Sequence, residues 1–173
     1  MTDKKENILN TALELFANEG YNATSTSTIA KQAKVSEGLI FRHFENKKGL
    51  LNAIMQDVES RLQVMFATVL FEENPKEVIG KIIKIPFSIK ESDYDFWKLQ
   101  FQLKWESEYY NPNKMKPVSE KIFWAFSQLG YDNPEHETQL LNQILDAVSI
   151  SLLRNEIKDK TAYQSFILSK YKL

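Results

Sequence analysis

The chain has 173 residues, 43% of them hydrophobic, and a formal net charge of −1, so it is long enough to bury one or two cores and its overall charge announces no partner. It has no cysteine, which excludes disulfides and cysteine-ligated zinc. No stretch reads as a secretory or membrane-spanning segment, so a cytoplasmic location without a membrane partner is expected.

Apolar residues recur at helical spacing almost throughout, and no segment alternates long enough to demand a strand. The expected fold class is all-α. A first helix is predicted from about Lys4 to Asn18, with Asp3 as its cap and Glu6 completing a capping box. Ile8, Ala12, Leu15 and Phe16 form its buried face, and Gly20 supplies the left-handed stop. A short helix follows Thr24 or Ser25 and ends near Lys34. A third begins at Ser36, a good cap, and ends near Phe44. A fourth starts after Asn46 and runs to about Phe71. Further helices are predicted from Lys76 to Lys90 with a bend at Pro86, from Ser92 to Glu108, from Lys114 to Leu129, from Pro134 to Glu156 and from Lys160 to Lys172.

The stretch from Thr28 to Phe44 carries the most information. Ile29 and Ala33 face Ile40 and Phe44, Val35 fills the turn, and Ala30 is small where two helices approach. Glu37, Gly38, Phe41 and much of Leu39 and His43 are left outside. That is the pattern of a helix-turn-helix, whose second helix stands proud enough to enter a major groove. A generic helical hairpin inside a bundle satisfies the same pattern. The segment Thr24 to Leu50 holds Lys31, Lys34, Arg42, Lys47 and Lys48 against Glu37 and Glu45, a weakly basic patch that chance clustering explains equally well.

Gly20-Tyr21-Asn22-Ala23-Thr24-Ser25, Ile29-Ala30, Ala33, Val35-Ser36, Gly38, Phe44-Glu45-Asn46-Lys47 and Leu50-Leu51 resemble the N-terminal signature of the tetracycline-repressor (TetR) family. The resemblance covers roughly Ile8 to Leu51. It implies a three-helix DNA-binding domain over residues 1–50 and a helical ligand-binding and dimerisation bundle over 51–173. It further implies a repressor that binds a palindromic operator as a homodimer. Position by position, it places Thr26 and Ser27 at phosphate or base edges, and Glu37, Gly38 and Leu39 at the start of the recognition helix. His43 falls at a backbone contact and Lys47 at a phosphate-binding lysine.

Phe41 stands where a tyrosine hydroxyl usually meets a phosphate, and Arg42 can compensate or else pair with Glu45. Leu39 replaces a threonine and can read only a thymine methyl or fill space. Glu37 can accept from a cytosine amino group or cap its own helix. Lys34 occupies a turn position where glycine is common. Lys48 fits a solvated surface better than a phosphate contact.

Two later segments suggest further roles. Between Ser92 and Glu108, Phe96, Trp97, Leu99, Phe101, Leu103 and Trp105 spread over most of a helix circumference, as expected deep within a second domain. Gln100 and Lys104 fall inside that arc and need partners. An effector touching Phe96, Gln100 and Lys104, mainly apolar with an acidic end as one option, is one answer. Snorkelling of Lys104 or an internal ion pair is another. From Pro134 to Glu156, the stripe Leu140, Ile144, Ala147 and Ser151 lies beside a second apolar stripe. With Phe166 and Ile167 of the last helix, it is the expected dimer interface, although one large core would account for both stripes.

An enzyme is the rival class. The only histidines, His43 and His136, lie far apart in sequence, and no phosphate-cradling glycine loop or H-E-x-x-H helix occurs. No cofactor, no metal and no catalysis are expected. A helical protein-interaction module that no longer binds DNA is the second rival.

Overall fold

The computed structural model describes residues 3–104, 113 and 115–173, with the side chains of residues 57–59 left aside. Nine α-helices and two short 3-10 turns lie among the described residues, which contain no strand. The all-α expectation holds.

The helices are α1 (Asp3–Glu19), α2 (Thr26–Gln32), α3 (Glu37–Phe44), α4 (Lys47–Leu70), α5 (Pro75–Lys84), α6 (Tyr94–Leu103), α7 (Lys116–Gln128), α8 (Pro134–Leu153) and α9 (Lys160–Lys170). Several boundaries follow from capping chemistry. Ser25 Oγ accepts from the Thr28 amide at 3.0 Å and opens α2. Asn74 Oδ1 accepts from the Lys76 amide at 3.0 Å, and Pro75 takes the first turn of α5, where its missing N–H has no consequence. Asp159 caps α9 through the Ala162 amide at 2.9 Å. Gly20, at φ +92, ends the α1 region in a conformation that only glycine adopts without strain.

Some expected ends differ. Asp3 is the first residue of α1 rather than its cap. Ser36 precedes α3 but makes no side-chain capping bond. The bend at Pro86 is a full break: α5 stops at Lys84 and a 3-10 turn, Pro86–Ser88, follows, because proline cannot donate to the helical ladder. The continuation expected beyond Lys104, including Trp105, lies outside the described residues.

The chain packs as two units, one from residues within Met1–Leu62 and Ser92–Tyr110, the other from Gln63–Glu91 and Asn111–Leu173. This differs from a division at residue 50. In the first unit, Leu50, Leu51 and Ile54 of α4 and Leu99 and Leu103 of α6 are buried with Ile8, Ala12, Leu15, Phe16, Ile29, Ile40 and Phe44. α4 runs unbroken through position 50, so its first turns complete the core beneath α1 to α3. The placement of α6 deep in the second domain is likewise corrected: its apolar stripe packs on α1. Gln102 Nε2 donates to the Ala17 carbonyl at 2.9 Å across that contact, and Arg61 pairs with Asp93 at 2.9 Å just before α6.

The second unit has its own core, with Val69, Val78, Ile79, Ile82, Ile83, Val118, Ile122, Phe126, Leu141, Val148, Leu152 and Ile167 buried together. Tyr131 and Tyr171 pack on Phe126, with ring centroids 4.9 and 5.7 Å away. Glu72 and Lys81 form an ion pair between the end of α4 and α5, and the pairing with Lys81 holds the Glu72 carboxyl below its ordinary pKa.

Candidate nucleic-acid interface

The local fold of residues 20–50 follows from a few buried contacts. Ile29, Ala33, Ile40 and Phe44 are all buried, as the helix-turn-helix pattern requires, and half-buried Val35 packs against them. Thr24 is buried, and its hydroxyl bonds the Gly20 carbonyl at 2.9 Å, fixing the loop before α2. Asn7 Nδ2 donates to the Ala33 carbonyl at 2.8 Å and ties the end of α2 to α1. The turn between α2 and α3 passes through Lys34 at φ +55, a left-handed conformation that a lysine adopts at a cost of roughly 1–2 kcal/mol. The glycine common there in the resembled family would not carry that strain.

α3 leaves its outer face open. Gly38 is exposed, and a Cβ at that position would have no neighbour within 4 Å. Phe41 is 44% exposed and Arg42 is exposed. His43 and Leu39 are half-buried, and Leu39 also packs against the core, so space-filling is part of its role. Ser27 is exposed on α2, beside half-buried Thr26. Thr26 Oγ1 donates to Glu37 Oε1 at 2.6 Å, joining the first residue of α2 to the first residue of α3. Neither reading of Glu37 from sequence included this partner.

Lys47 is more committed than a free phosphate ligand. Its ammonium donates to the carbonyls of Tyr21 at 2.8 Å and Thr24 at 3.0 Å, and it lies 4.4 Å from the Tyr21 ring centroid. One of its three N–H groups remains beyond those two bonds. Sequence reasoning also missed Gly49. A Cβ there would fall 1.9 Å from the Phe44 carbonyl oxygen, so α4 can follow α3 this tightly only with glycine. Asn46 Oδ1 accepts from the Gly49 amide at 2.9 Å and closes the same corner. The pairing of an Asn cap with a glycine three residues on was the available signal.

The residues expected to hold an effector separate. Phe96 is buried, and Gln100 is half-buried with its amide donating to Met55 Sδ at 3.0 Å. Lys104 is exposed at the C-cap of α6, its ammonium 5.8 Å from the Phe101 ring centroid. The expectation of an ammonium enclosed within an apolar arc is therefore overturned. The helix ends at Leu103, and the lysine stem leads outward.

The expected dimer residues also separate. Leu140 is 49% and Phe166 53% exposed, Ala147 is exposed, and Ile144 and Ser151 are half-buried. Ile167 is buried in the core of its own unit, which removes it from an intersubunit seam. Tyr163, 41% exposed, extends the apolar surface beside Phe166, their ring centroids 6.2 Å apart. No helix of the described residues is long and apolar enough to cross a membrane.

The first three helices and the turn between α2 and α3 define a helix-turn-helix head of the DNA-binding type. The family model "Bacterial regulatory proteins, tetR family" matches residues 8–54. Over these residues the chain is similar to the TetR family.

An uncharacterized HTH-type transcriptional regulator of Bacillus subtilis, YvkB, is 43% identical over 60 residues, which are 35% of this chain and 32% of that protein. The first curated relatives are each matched over less than two fifths of their length. Over nearly the whole chain the fold is similar to FadR of Bacillus subtilis in complex with stearoyl-CoA. The TM-score is 0.70 at 21% identity, and the match covers 95% of each chain. It is also similar to AibR in complex with isovaleryl coenzyme A and operator DNA, with a TM-score of 0.65 at 19% identity over 85% of this chain and 86% of that one.

Proposed function

We propose that the chain is a sequence-specific DNA-binding transcriptional regulator, a ligand-responsive repressor that acts as a homodimer on a palindromic operator. The observation that carries this reading is the outer face of α3. It pairs an open glycine, Gly38, with the exposed side chains of Phe41 and Arg42 on a helix anchored by a buried apolar core. Such a helix can enter a major groove with its N-terminal residues toward base edges. Ser27, Arg42, His43 and the remaining N–H of Lys47 would meet phosphates, while Glu37 and Leu39 would meet bases. Phe41, lacking a hydroxyl, would pack on a thymine methyl or sugar.

The dimer would form on the apolar surface of α8 and α9, around Leu140, Ala147 and Phe166, with Ile144 and Ser151 at its margin. A closed two-fold dimer presents two identical heads, and an inverted repeat matches them.

The effector is proposed to be small and mainly apolar. FadR and AibR, of similar fold, bind acyl-coenzyme A thioesters, whose acyl group is the apolar part. α6 carries Phe96 and Gln100 and packs along α1 of the reading head, so an effector that displaces α6 acts directly on the head. The ligand must favour one head position over the other for this to regulate. The relatives' names describe regulators rather than enzymes, and no cofactor is proposed.

A mobility-shift and footprinting experiment on the DNA flanking the gene tests the reading. The expected result is a site-specific shift with two-fold symmetric protection, relieved by a long-chain acyl-coenzyme A. A footprint by a monomer on a single half-site would overturn the dimer. No specific shift would favour a helical interaction module.

A further inference from the structure

We propose that Glu37 reads a cytosine in each half-site and that Thr26 is the positioning residue that aims it. This rests on the operator reading above and adds which base is read and how the reader is held.

Glu37 is the first residue of α3, at the end of the recognition helix expected to approach the bases. Its carboxylate is an acceptor only. The Thr26 hydroxyl donates to Oε1 at 2.6 Å, within the range of a charge-assisted O–H···O⁻ bond. The donor belongs to α2, so the carboxylate is held by a helix other than its own, and one rotamer is favoured before any DNA arrives. A preset acceptor loses less conformational freedom on binding.

The same bond redefines Thr26. A hydroxyl has one hydrogen, and here it is spent on Glu37. Only acceptor lone pairs remain on Thr26 Oγ1, and a phosphate oxygen, itself an acceptor, cannot use them. While it holds Glu37, Thr26 makes no phosphate bond. Its influence on DNA runs through the carboxylate.

With Oε1 bonded to Thr26, Oε2 is the oxygen available for a base. Guanine shows N7 and O6 acceptors in the major groove and thymine shows O4, all of which repel a carboxylate. Adenine offers its N6 amino group beside the acceptor N7. Cytosine offers its N4 amino group beside a C5–H, with no acceptor on its own edge. Cytosine is therefore the best electrostatic match. A carboxylate among phosphates is otherwise unfavourable, but the positive N-terminal end of the α3 dipole offsets part of that repulsion. Gly38, with open space where a Cβ would stand, lets the backbone beside Glu37 come close to the groove, which suits the short reach of a glutamate.

A mere tether between α2 and α3 would use the same bond without touching base preference, so base preference is the readout. Full-length wild type, Glu37→Ala, Glu37→Gln, Thr26→Val and Thr26→Ser would each be selected against a library of duplex DNA with a randomised centre. The bound fraction would then be sequenced. Wild type should enrich an inverted repeat with a cytosine preferred by about tenfold or more at one position per half-site. Glu37→Ala should flatten that position alone. Glu37→Gln should shift it toward adenine, which a glutamine amide matches at N6 and N7. Thr26→Val should weaken the cytosine preference while the other positions and the salt dependence hold, and Thr26→Ser, which keeps the hydroxyl, should retain it. If wild type enriches an inverted repeat and Glu37→Ala enriches the same one unchanged at every position, the inference falls and the operator reading stands. Unaltered preference in Thr26→Val removes the positioning role. If wild type enriches no inverted repeat, the operator reading falls and takes this inference with it.

Discussion

The Lys47 ammonium donates to the Tyr21 carbonyl at 2.8 Å and lies 4.4 Å from the centroid of the same residue's ring. With its second bond, to the Thr24 carbonyl, it pins the loop that sets the start of α2. Lys47→Met removes the charge and both bonds while keeping an apolar stem. Hydrogen bonds to charged groups contribute about 1.5–3 kcal/mol. Half-exposure of this side chain puts the expected loss at the low end, about 1–2 kcal/mol, measurable by denaturant unfolding. Operator affinity should fall almost equally for all sequences. The slope of log affinity against log salt should shrink by about 0.9 for each subunit's phosphate contact, about 1.8 for the dimer. An unchanged slope would leave Lys47 as a clamp and strike it from the phosphate contacts.

Two glycines should respond in opposite directions to alanine. Gly38→Ala meets open space and gains helix propensity, so thermal stability should rise by about 0.5–1 kcal/mol. Operator affinity should fall, because the added methyl stands on the face that must approach the groove. Gly49→Ala gains the same propensity but drives its methyl to 1.9 Å from the Phe44 carbonyl oxygen. Backbone has to move to relieve that contact. Overpacking of this kind costs about 1–3 kcal/mol or more, which outweighs the propensity gain. At about 2–4 °C per kcal/mol for a chain of this size, a calorimetric scan resolves both signs. A stable Gly49→Ala protein would show that the corner between α3 and α4 is looser than described.

Much of the reading head was legible because its determinants are local. Ser25, Gly20 and the spacing of Ile29, Ala33, Ile40 and Phe44 act within one or two helical turns, and a single sequence displays them. The allegiance of α6 was not legible. Leu99 and Leu103 announce a buried face, but nothing in their spacing says that the face meets α1, some eighty positions earlier. The clamp made by Lys47 was not legible for the same reason: its partners are main-chain carbonyls of Tyr21 and Thr24, and every residue type carries a carbonyl. Lys104 fell inside an apolar arc only on a helix extended past Leu103. Ile167 and Phe166 are adjacent in an apolar run, and only packing separates the one in the core from the one on the surface.

The second unit should soften at high pH. Burial, then the nearby Glu137 carboxylate and Tyr131, push the Tyr171 hydroxyl up to about 12. Burial and Glu137 also raise Tyr131. An unfolded tyrosine titrates near about 10. The folded state thus holds the proton more tightly. This contribution is complete below about pH 10 and is lost as pH rises toward about 12. Tyr171 is only half-buried, so the loss falls short of the ~1.4 kcal/mol per pH unit of a fully shielded group. Unfolding monitored from about pH 9, one unit below this window, to about pH 12, its upper edge, should show declining stability. Tyr171→Phe should flatten that decline. An identical pH profile in the variant would assign the alkaline loss to other groups.

The proposed dimer surface is best probed at Phe166. Ile144 is half-buried and packs against the core of its own unit, so a charge there would confuse unfolding with dissociation. Ile167, buried in that core, is worse still. Phe166 is 53% exposed and lies beside Tyr163 on α9. A glutamate at 166 leaves the subunit core intact and puts a carboxylate into any apolar seam formed there. A large aromatic anchor at an interface commonly contributes about 2 kcal/mol or more, and burial of an unpaired charge adds to the loss. Phe166→Glu should therefore weaken dimerisation by at least about thirtyfold, since each 1.4 kcal/mol is tenfold. Its thermal unfolding, compared under conditions where both proteins are monomeric, should be nearly unchanged. Sedimentation over a concentration series reads the first quantity. Operator binding should weaken in parallel, because each head alone grips only one half-site. If Phe166→Glu sediments as a dimer of unaltered affinity, the subunits meet on a different surface, and the exposed pair Phe166 and Tyr163 is not part of it.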